Sequence, residues 1–244
     1  MKISLIIEAR SQSSRLPKKI LKKCFNNMTF LEYLIRRVKK LDFIDNIIIA
    51  TTINPKDLEI VGIAKKLKVK YFRGSEENVL DRIIKAAKKF KTEIIVRVTS
   101  DCPVIDLDLI YQAYYVYKNN KSDYVSNGFI RSYPLGMDVE VFSLKVLRKS
   151  LRFANNPECK EHITLAIRRN PKEFDHLNLI APKSLKYPKI GLTLDYKEDL
   201  ILLKKIIKYF WNKNYNCKDI IEYLSKNKKV AKLNNHVKRT IYKY

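Results

Sequence analysis

Short apolar runs alternate with longer amphipathic stretches through the first half of the chain, and that rhythm constrains the fold more than any other feature. Residues 3–7, 47–52, 69–72 and 94–98 are strand-length runs rich in Ile, Val and Thr. Such runs suit strands buried within a sheet. Between them, apolar residues repeat at helical spacing: Leu31, Leu34, Ile35 and Val38; Ile60, Ile63, Ala64 and Leu67; Val79, Ile83, Ala87 and Phe90; Leu109, Ala113 and Val116. Thr29-x-x-Glu32 reads as a capping box, Asn54-Pro55 as an N-cap with proline at the first helical position, and Ser75 and Asp106 as caps of the next two helices. Strands and helices in this alternation predict an α/β fold, with a mostly parallel sheet covered on both faces.

After Ser122 the rhythm changes. Residues 123–127 and 138–142 alternate like strands, with Gly128, Pro134 and Gly136 between them. They predict a hairpin or inserted β-arm over about 122–143. Helical patterns return over 144–151 and 161–169, a last strand is expected at 190–194, and helices over 198–210 and 218–224. The length prior allows one large domain or two small ones. No Gly-, Ser- or Pro-rich linker interrupts the chain, so a single domain over 1–235 is expected, followed by a basic tail at 236–244.

Composition excludes several classes. Apolar residues make up 46% of the 244, enough for a core. No run approaches the roughly 18 residues of a membrane span, and the N-terminal apolar run is too short and too soon charged for a signal peptide. A cytoplasmic location is expected. The five glycines fall in neither G-x-G-x-x-G nor G-x-x-x-x-G-K-[ST] order, and the four cysteines form no C-x-x-C. The usual dinucleotide fingerprint, the Walker loop and a zinc ribbon are therefore set aside. The formal net charge is +25. Its lysines are spread along the whole chain, so background composition is favoured over a nucleic-acid partner.

In open α/β sheets, ligands bind beyond the carboxyl ends of the strands. After the first strand, residues 9–19 hold Arg10, Arg15, Lys18 and Lys19 with several hydroxyls, Ser13 among them. Such a loop can present cations and backbone N–H groups to phosphates. Asp101 follows the fourth strand and Asp195 the expected last one. Each suits a hard cation such as Mg²⁺, which takes one or two carboxylates beside substrate phosphates. Asp106-x-Asp108 spells D-x-D, but stands where a helix should begin, so capping is the better reading.

The pattern A-R-x-x-S-x-R-L-P-x-K, filled by Ala9, Arg10, Ser13, Arg15, Leu16, Pro17 and Lys19, resembles the signature of the sugar-acid cytidylyltransferases, most closely their spore-coat polysaccharide branch. Further segments match in order: Phe72-Arg73-Gly74-Ser75 with Val79-Leu80-Asp81-Arg82, Val96-Arg97-Val98-Thr99 with Asp101-Cys102-Pro103, the stretch 123–127, 138–142, Glu161-His162-Ile163-Thr164, and Leu192-Thr193-Leu194-Asp195. The resemblance implies a Rossmann-like nucleotide-diphospho-sugar transferase fold and a homodimer built partly on the β-arm. It also implies Mg²⁺-dependent transfer of CMP from CTP to a sugar, with release of pyrophosphate. On this match Arg10, Arg15 and Lys19 hold the triphosphate, Asp101 and Asp195 the Mg²⁺ ion, and Arg73, Asp81 and Arg97 frame the nucleotide. Asp138, Glu140 and His162 line the acceptor side. Three positions depart from the pattern. Glu8 replaces a usual Gln or Pro, and Gln12 and Lys18 replace usual glycines. An acid at position 8 repels a triphosphate unless Arg10, Arg15 or the metal meets it. Two rival readings are a nucleotide-sugar-dependent glycosyltransferase of the same fold and a basic nucleic-acid-binding protein.

Overall fold

A computed structural model of the chain describes residues 1–239. The chain enters as β1 (Ile3–Glu8), makes a two-stranded ribbon of β2 (Lys23–Phe25) and β3 (Met28–Thr29), and continues through α1 (Phe30–Val38), β4 (Asn46–Thr52), α2 (Leu58–Lys66), β5 (Lys70–Gly74), α3 (Val79–Lys89), β6 (Ile94–Thr99) and α4 (Leu107–Asn119). Then come β7 (Tyr124–Ser126), β8 (Glu140–Ser143), α5 (Leu144–Lys149), α6 (Pro157–Glu161), α7 (Leu165–Arg168), β9 (His176–Asn178), α8 (Lys197–Tyr209), α9 (Cys217–Lys226) and α10 (Lys228–Ala231).

Seven strands form the central sheet, in the order β5-β4-β1-β6-β8-β7-β9. β1, β4, β5 and β6 are mutually parallel; β8 runs antiparallel to both β6 and β7, and β9 is parallel to β7. The pleat sends alternate side chains to opposite faces. Ile3, Leu5 and Ile7 of β1, with Ile94, Val96 and Val98 of β6, enter one core beneath α1, α2, α4, α8 and α9. Ile6 and Ile95 enter the other, beneath α3, α5 and α7. Covering both faces explains why these strands read as nearly continuous apolar runs. Helix starts follow their capping chemistry. Thr29 and Glu32 form the reciprocal box that opens α1, and the Asp106 side chain accepts from the Asp108 amide at α4.

Four expectations need correction. Residues 124–126 and 140–143 do pair as a hairpin, but they are interior strands of the central sheet and form no projecting arm. Residues 190–194 form no strand; they make one isolated bridge, Leu135 to Gly191, and the missing edge strand is β9. The helix expected over 161–169 breaks at residues 162–164 into α6 and α7. Asn78, not Ser75, caps α3, because its side chain accepts from the Asp81 amide. Of the expected basic tail, residues 240–244 lie outside the described residues. Among the described residues no helix is long and apolar enough to cross a membrane.

Candidate active site

The strand order reverses around β1: the chain steps outward to β4 and β5, then returns to place β6 on the other side of β1. Such a reversal opens a crevice at the carboxyl ends of the two central strands. Glu8 and Thr99 are register partners at that point, and a cavity of about 480 Å³ lies there, lined by residues 8–10, 12–15, 19 and 99–101 together with Val79, Arg82, Arg97, Glu161 and His162.

The loop after β1 is pinned rather than loose. The Ser11 amide donates to Asp57 Oδ1 at 2.7 Å, and the Thr52 hydroxyl donates to Asp57 Oδ2 at 2.5 Å. Burial raises the Asp57 pKa, but the bonds from Ser11 and Thr52 outweigh it, and the carboxyl stands below its ordinary value. The Lys18 amide donates back to the Ser11 carbonyl at 2.9 Å, and Lys18 adopts φ 53°. This left-handed conformation explains why glycine suits the position. Buried Leu16, Ile20 and Leu21 then anchor the turn and aim Lys19 inward.

Lys19 Nζ lies 2.7 Å from Asp101 Oδ2 and 2.9 Å from Asp195 Oδ1. Arg15 Nη2 lies 2.9 Å from the same Asp195 oxygen. Burial works against the Lys19 charge, but the two carboxylates prevail and its pKa stands above the ordinary lysine value. Burial likewise raises Asp101, Lys19 outweighs it, and the net shift is downward. Two carboxylates thus converge on one cationic point. Among the described residues no group of three or more His, Cys, Asp or Glu forms a metal cage. A site of two carboxylates that leaves its other positions to phosphates and water is the arrangement Mg²⁺ favours, so Asp101 and Asp195 fit that ion.

Arg10 reaches across the opening to Glu161 at 2.9 Å, and both side chains are exposed. Ser13 and His162 line the cavity wall. His162 lies at the break between α6 and α7, not within a helix. Burial holds its pKa below the ordinary value against the opposing pull of Glu161.

Arg97 and Glu140 belong to a buried charge network. Arg97 Nε and Nη2 donate to both Glu8 oxygens at 2.5 and 3.0 Å, and Arg97 also donates to Glu140. Glu140 accepts in addition from Arg168 at 2.5 Å, from Thr164 at 2.9 Å and from Tyr124. The cation that meets Glu8 is therefore Arg97, none of the three anticipated. Burial opposes charge on Arg97 and Glu140, yet the opposite charges dominate: Arg97 is held well above its ordinary pKa and Glu140 well below.

Five expected residues do not line the cavity: Asp195 and Glu140 pair with residues that do, while Arg73, Asp81 and Asp138 stand apart. Arg73 donates to the carbonyls of Thr52, Ile53 and Asn54 and so ties down the turn after β4. Asp81 pairs with Lys85 one helical turn along α3. Asp138 pairs with Arg131 at 2.9 Å inside the hairpin. Sequence reasoning also missed residues. Arg82, the neighbour of Asp81, lines the cavity almost fully buried; among the described residues its Nε has no partner, and burial depresses its pKa. Helical spacing could have found it, since position 82 lies on the inward face of α3 beside Val79 and Ile83. Asp57 left no local signal, because its role arises only from tertiary contact; Glu161 stood in a matching segment, but its pairing with Arg10 across the opening could not be read from it.

The D-x-D pair lies elsewhere. Asp106 caps α4 and accepts from the Cys217 amide at 2.8 Å.

A family model described as cytidylyltransferase matches residues 4–238. An uncharacterised protein of Methanocaldococcus jannaschii is 39% identical over 244 residues, covering 100% of this chain and 98% of that protein. The spore coat polysaccharide biosynthesis protein SpsF of Bacillus subtilis is 34% identical over 238 residues, covering 94% of this chain and 96% of that protein. Among solved structures, a cytidylyltransferase from Leptospira borgpetersenii superposes with a TM-score of 0.90 at 34% identity, covering 99% of each chain.

Proposed function

Because the chain belongs to the cytidylyltransferase family and is thereby a nucleotidyltransferase, we propose that it transfers CMP from CTP to a hydroxyl of a small acidic sugar. Pyrophosphate leaves, Mg²⁺ is required, and the product serves polysaccharide or surface glycan assembly. The observation that carries this reading is the convergence of Asp101 and Asp195 on Lys19, at 2.7 and 2.9 Å, beside Arg15 and at the mouth of the β1–β6 crevice. Kinship to a spore coat polysaccharide biosynthesis protein supports the polysaccharide setting.

Attack on the α-phosphorus builds negative charge on the departing oxygens. Fixed cations offset that charge without reorganising as the reaction proceeds. Arg15 and Lys19, held by the two aspartates, and Arg10 at the cavity mouth would take the triphosphate. Arginine's planar fork suits bidentate phosphate contacts. Ser13 and the amides of the pinned loop add neutral donors. Asp101 and Asp195 would hold the Mg²⁺ ion, which when bound supplies Lewis-acid charge to phosphate and acceptor oxygens. His162, whose pKa burial lowers on the cavity wall, would line the acceptor side. Arg97, saturated by Glu8 and Glu140, forms the floor and leaves anion binding to Arg10, Arg15, Lys19 and Arg82.

The test is pyrophosphate release from each of the four nucleoside triphosphates against a panel of sugar acids and neutral sugars, with Mg²⁺ or with EDTA. Release confined to CTP, a sugar acid and Mg²⁺ is expected. Release with neutral sugars alone would overturn the acidic-acceptor reading, and release in EDTA would overturn the metal requirement.

A further inference from the structure

The Asp195 carboxylate reaches the site from a stretch with no regular secondary structure of its own. Residues 190–196 are held from two sides. On one side the Leu192 amide donates to the Leu135 carbonyl at 2.6 Å and the Leu194 amide to the Asp101 carbonyl at 2.8 Å. On the other side stands Asp199, completely buried in the first turn of α8. Its Oδ2 accepts from the amides of Asp195 and Tyr196 at 3.0 and 2.9 Å. Its Oδ1 accepts from Asn234 Nδ2 at 2.7 Å and from Arg239 Nη2 at 2.5 Å.

Arg239 supplies the ion pair that compensates this buried charge. Asn234 also donates to the Gly191 carbonyl at 2.9 Å. The guanidinium lies directly against Gly191, where a Cβ would stand 2.3 Å from Nη2. A side chain at position 191 would make the flexible end of Arg239 shift from its place in the clasp.

We propose that Asn234 and Arg239 are positioning residues for Asp195. The segment after α10 folds back over Gly191 and, through Asp199, fixes the backbone from which Asp195 faces Lys19, Arg15 and the metal. Removing Arg239 leaves a buried carboxylate without its counter-charge, which is strongly unfavourable. Water then enters beside Asp199, its carboxylate is no longer fixed against the amides of Asp195 and Tyr196, and the Asp195 carboxylate is no longer held in register with Asp101.

This inference rests on the reading that Asp195 faces the metal, and the experiment separates the two. CTP is titrated calorimetrically into the full chain, once with Mg²⁺ and once with EDTA, and the ratio of the two affinities is the readout. General loosening of the fold weakens both titrations and leaves the ratio in place. Arg239→Ala is expected to lower the ratio about tenfold while the EDTA affinity stays within about twofold. Arg239→Lys should retain part of it. Asp199→Asn combined with Arg239→Ala should recover part of what Arg239→Ala loses, because the uncompensated charge is gone. A wild-type ratio in Arg239→Ala would overturn the proposal. Should Arg239→Ala fail to fold, a wild-type ratio in both Arg239→Lys and Asn234→Ala would overturn it equally. Asp195→Asn is the control: if it keeps the full ratio, the metal reading falls and the inference with it, whereas loss in Asp195→Asn beside a wild-type Arg239→Ala overturns the inference alone.

Discussion

Lys18 shows how a single backbone angle sets the cost of a sequence choice. Its φ of 53° places a long side chain in the left-handed region, which costs a non-glycine residue on the order of 1 kcal/mol. Lys18→Gly should therefore stabilise the protein slightly, by up to about 0.5 kcal/mol once glycine's own entropic cost of about 0.5–1 kcal/mol is subtracted; thermal unfolding at fixed pH checks this, and a lower midpoint would contradict it. Asp101→Asn and Asp195→Asn belong to the same scale. Each leaves Lys19 one carboxylate fewer, so each is expected to reduce Mg²⁺-dependent turnover by about 100-fold or more while the far-ultraviolet circular dichroism stays unchanged. Wild-type turnover in both variants would remove the metal assignment. Arg10, Arg15, Lys19 and Asp101 could be singled out in the sequence because the first three stand in the loop that follows β1 and Asp101 follows β6, where the fold class alone predicts a ligand. Arg73 and Asp81 do not line the cavity, since neighbours in a motif are not neighbours in space. One position along α3 separates Asp81 on the solvent side from Arg82 on the cavity wall. The partner of Glu8 could not be read either, since Arg97 lies 89 residues away and meets it only when β1 and β6 pair.

At the scale of elements, the central strands announced themselves most clearly. β1, β4 and β6 are mostly buried apolar runs, because helices cover both faces; β5, at one edge of the sheet, is a mixed and only partly buried strand, located by the alternation around it. β9 carries His176, Leu177 and Asn178, is only partly buried, and offers no run to recognise. The hairpin of β7 and β8 was visible as alternation, but its place inside the sheet was not, because sequence does not say which neighbour a strand selects. That placement has an energetic consequence. Glu140 on β8 is the acceptor on which Arg97, Arg168, Thr164 and Tyr124 converge, so the charge network fastens β8 to β6 and α7. Glu140→Gln removes one charge from a buried set and should cost about 3–5 kcal/mol, read by chemical denaturation. The pH dependence has a fixed sign. The folded-state pKa of Glu140 lies below its ordinary value of 4.5, so its stabilisation is fully present above pH 4.5 and is lost as pH falls. The acid side of the stability curve should accordingly be shallower in Glu140→Gln than in the wild type; curves of equal slope would show that Glu140 carries no such linkage.

For the molecule as a whole, a formal net charge of +25 raises the local concentration of any anion. Such attraction is screened over about 8–10 Å at physiological salt, whereas contacts inside the β1–β6 crevice are partly shielded from it. Generic anion binding should thus fade between low and moderate salt, and binding that uses Arg15, Lys19 and the two aspartates should persist. The overall architecture follows from the alternation of strands and helices, and the position of the crevice follows from the strand order. Neither reveals nucleotide choice, which depends on the fine shape of one wall. The most direct test is thermal stabilisation by each of the four nucleoside triphosphates, with and without Mg²⁺, at fixed moderate salt. A ligand at about 100 times its Kd adds roughly 2.7 kcal/mol, which for a chain of this size raises the melting temperature by roughly 5–10 °C. CTP alone is expected to give that shift, and to give more of it with Mg²⁺. Equal shifts from all four nucleotides, vanishing together as salt rises, would contradict a cytidylyl-transfer site and leave only a basic surface collecting anions.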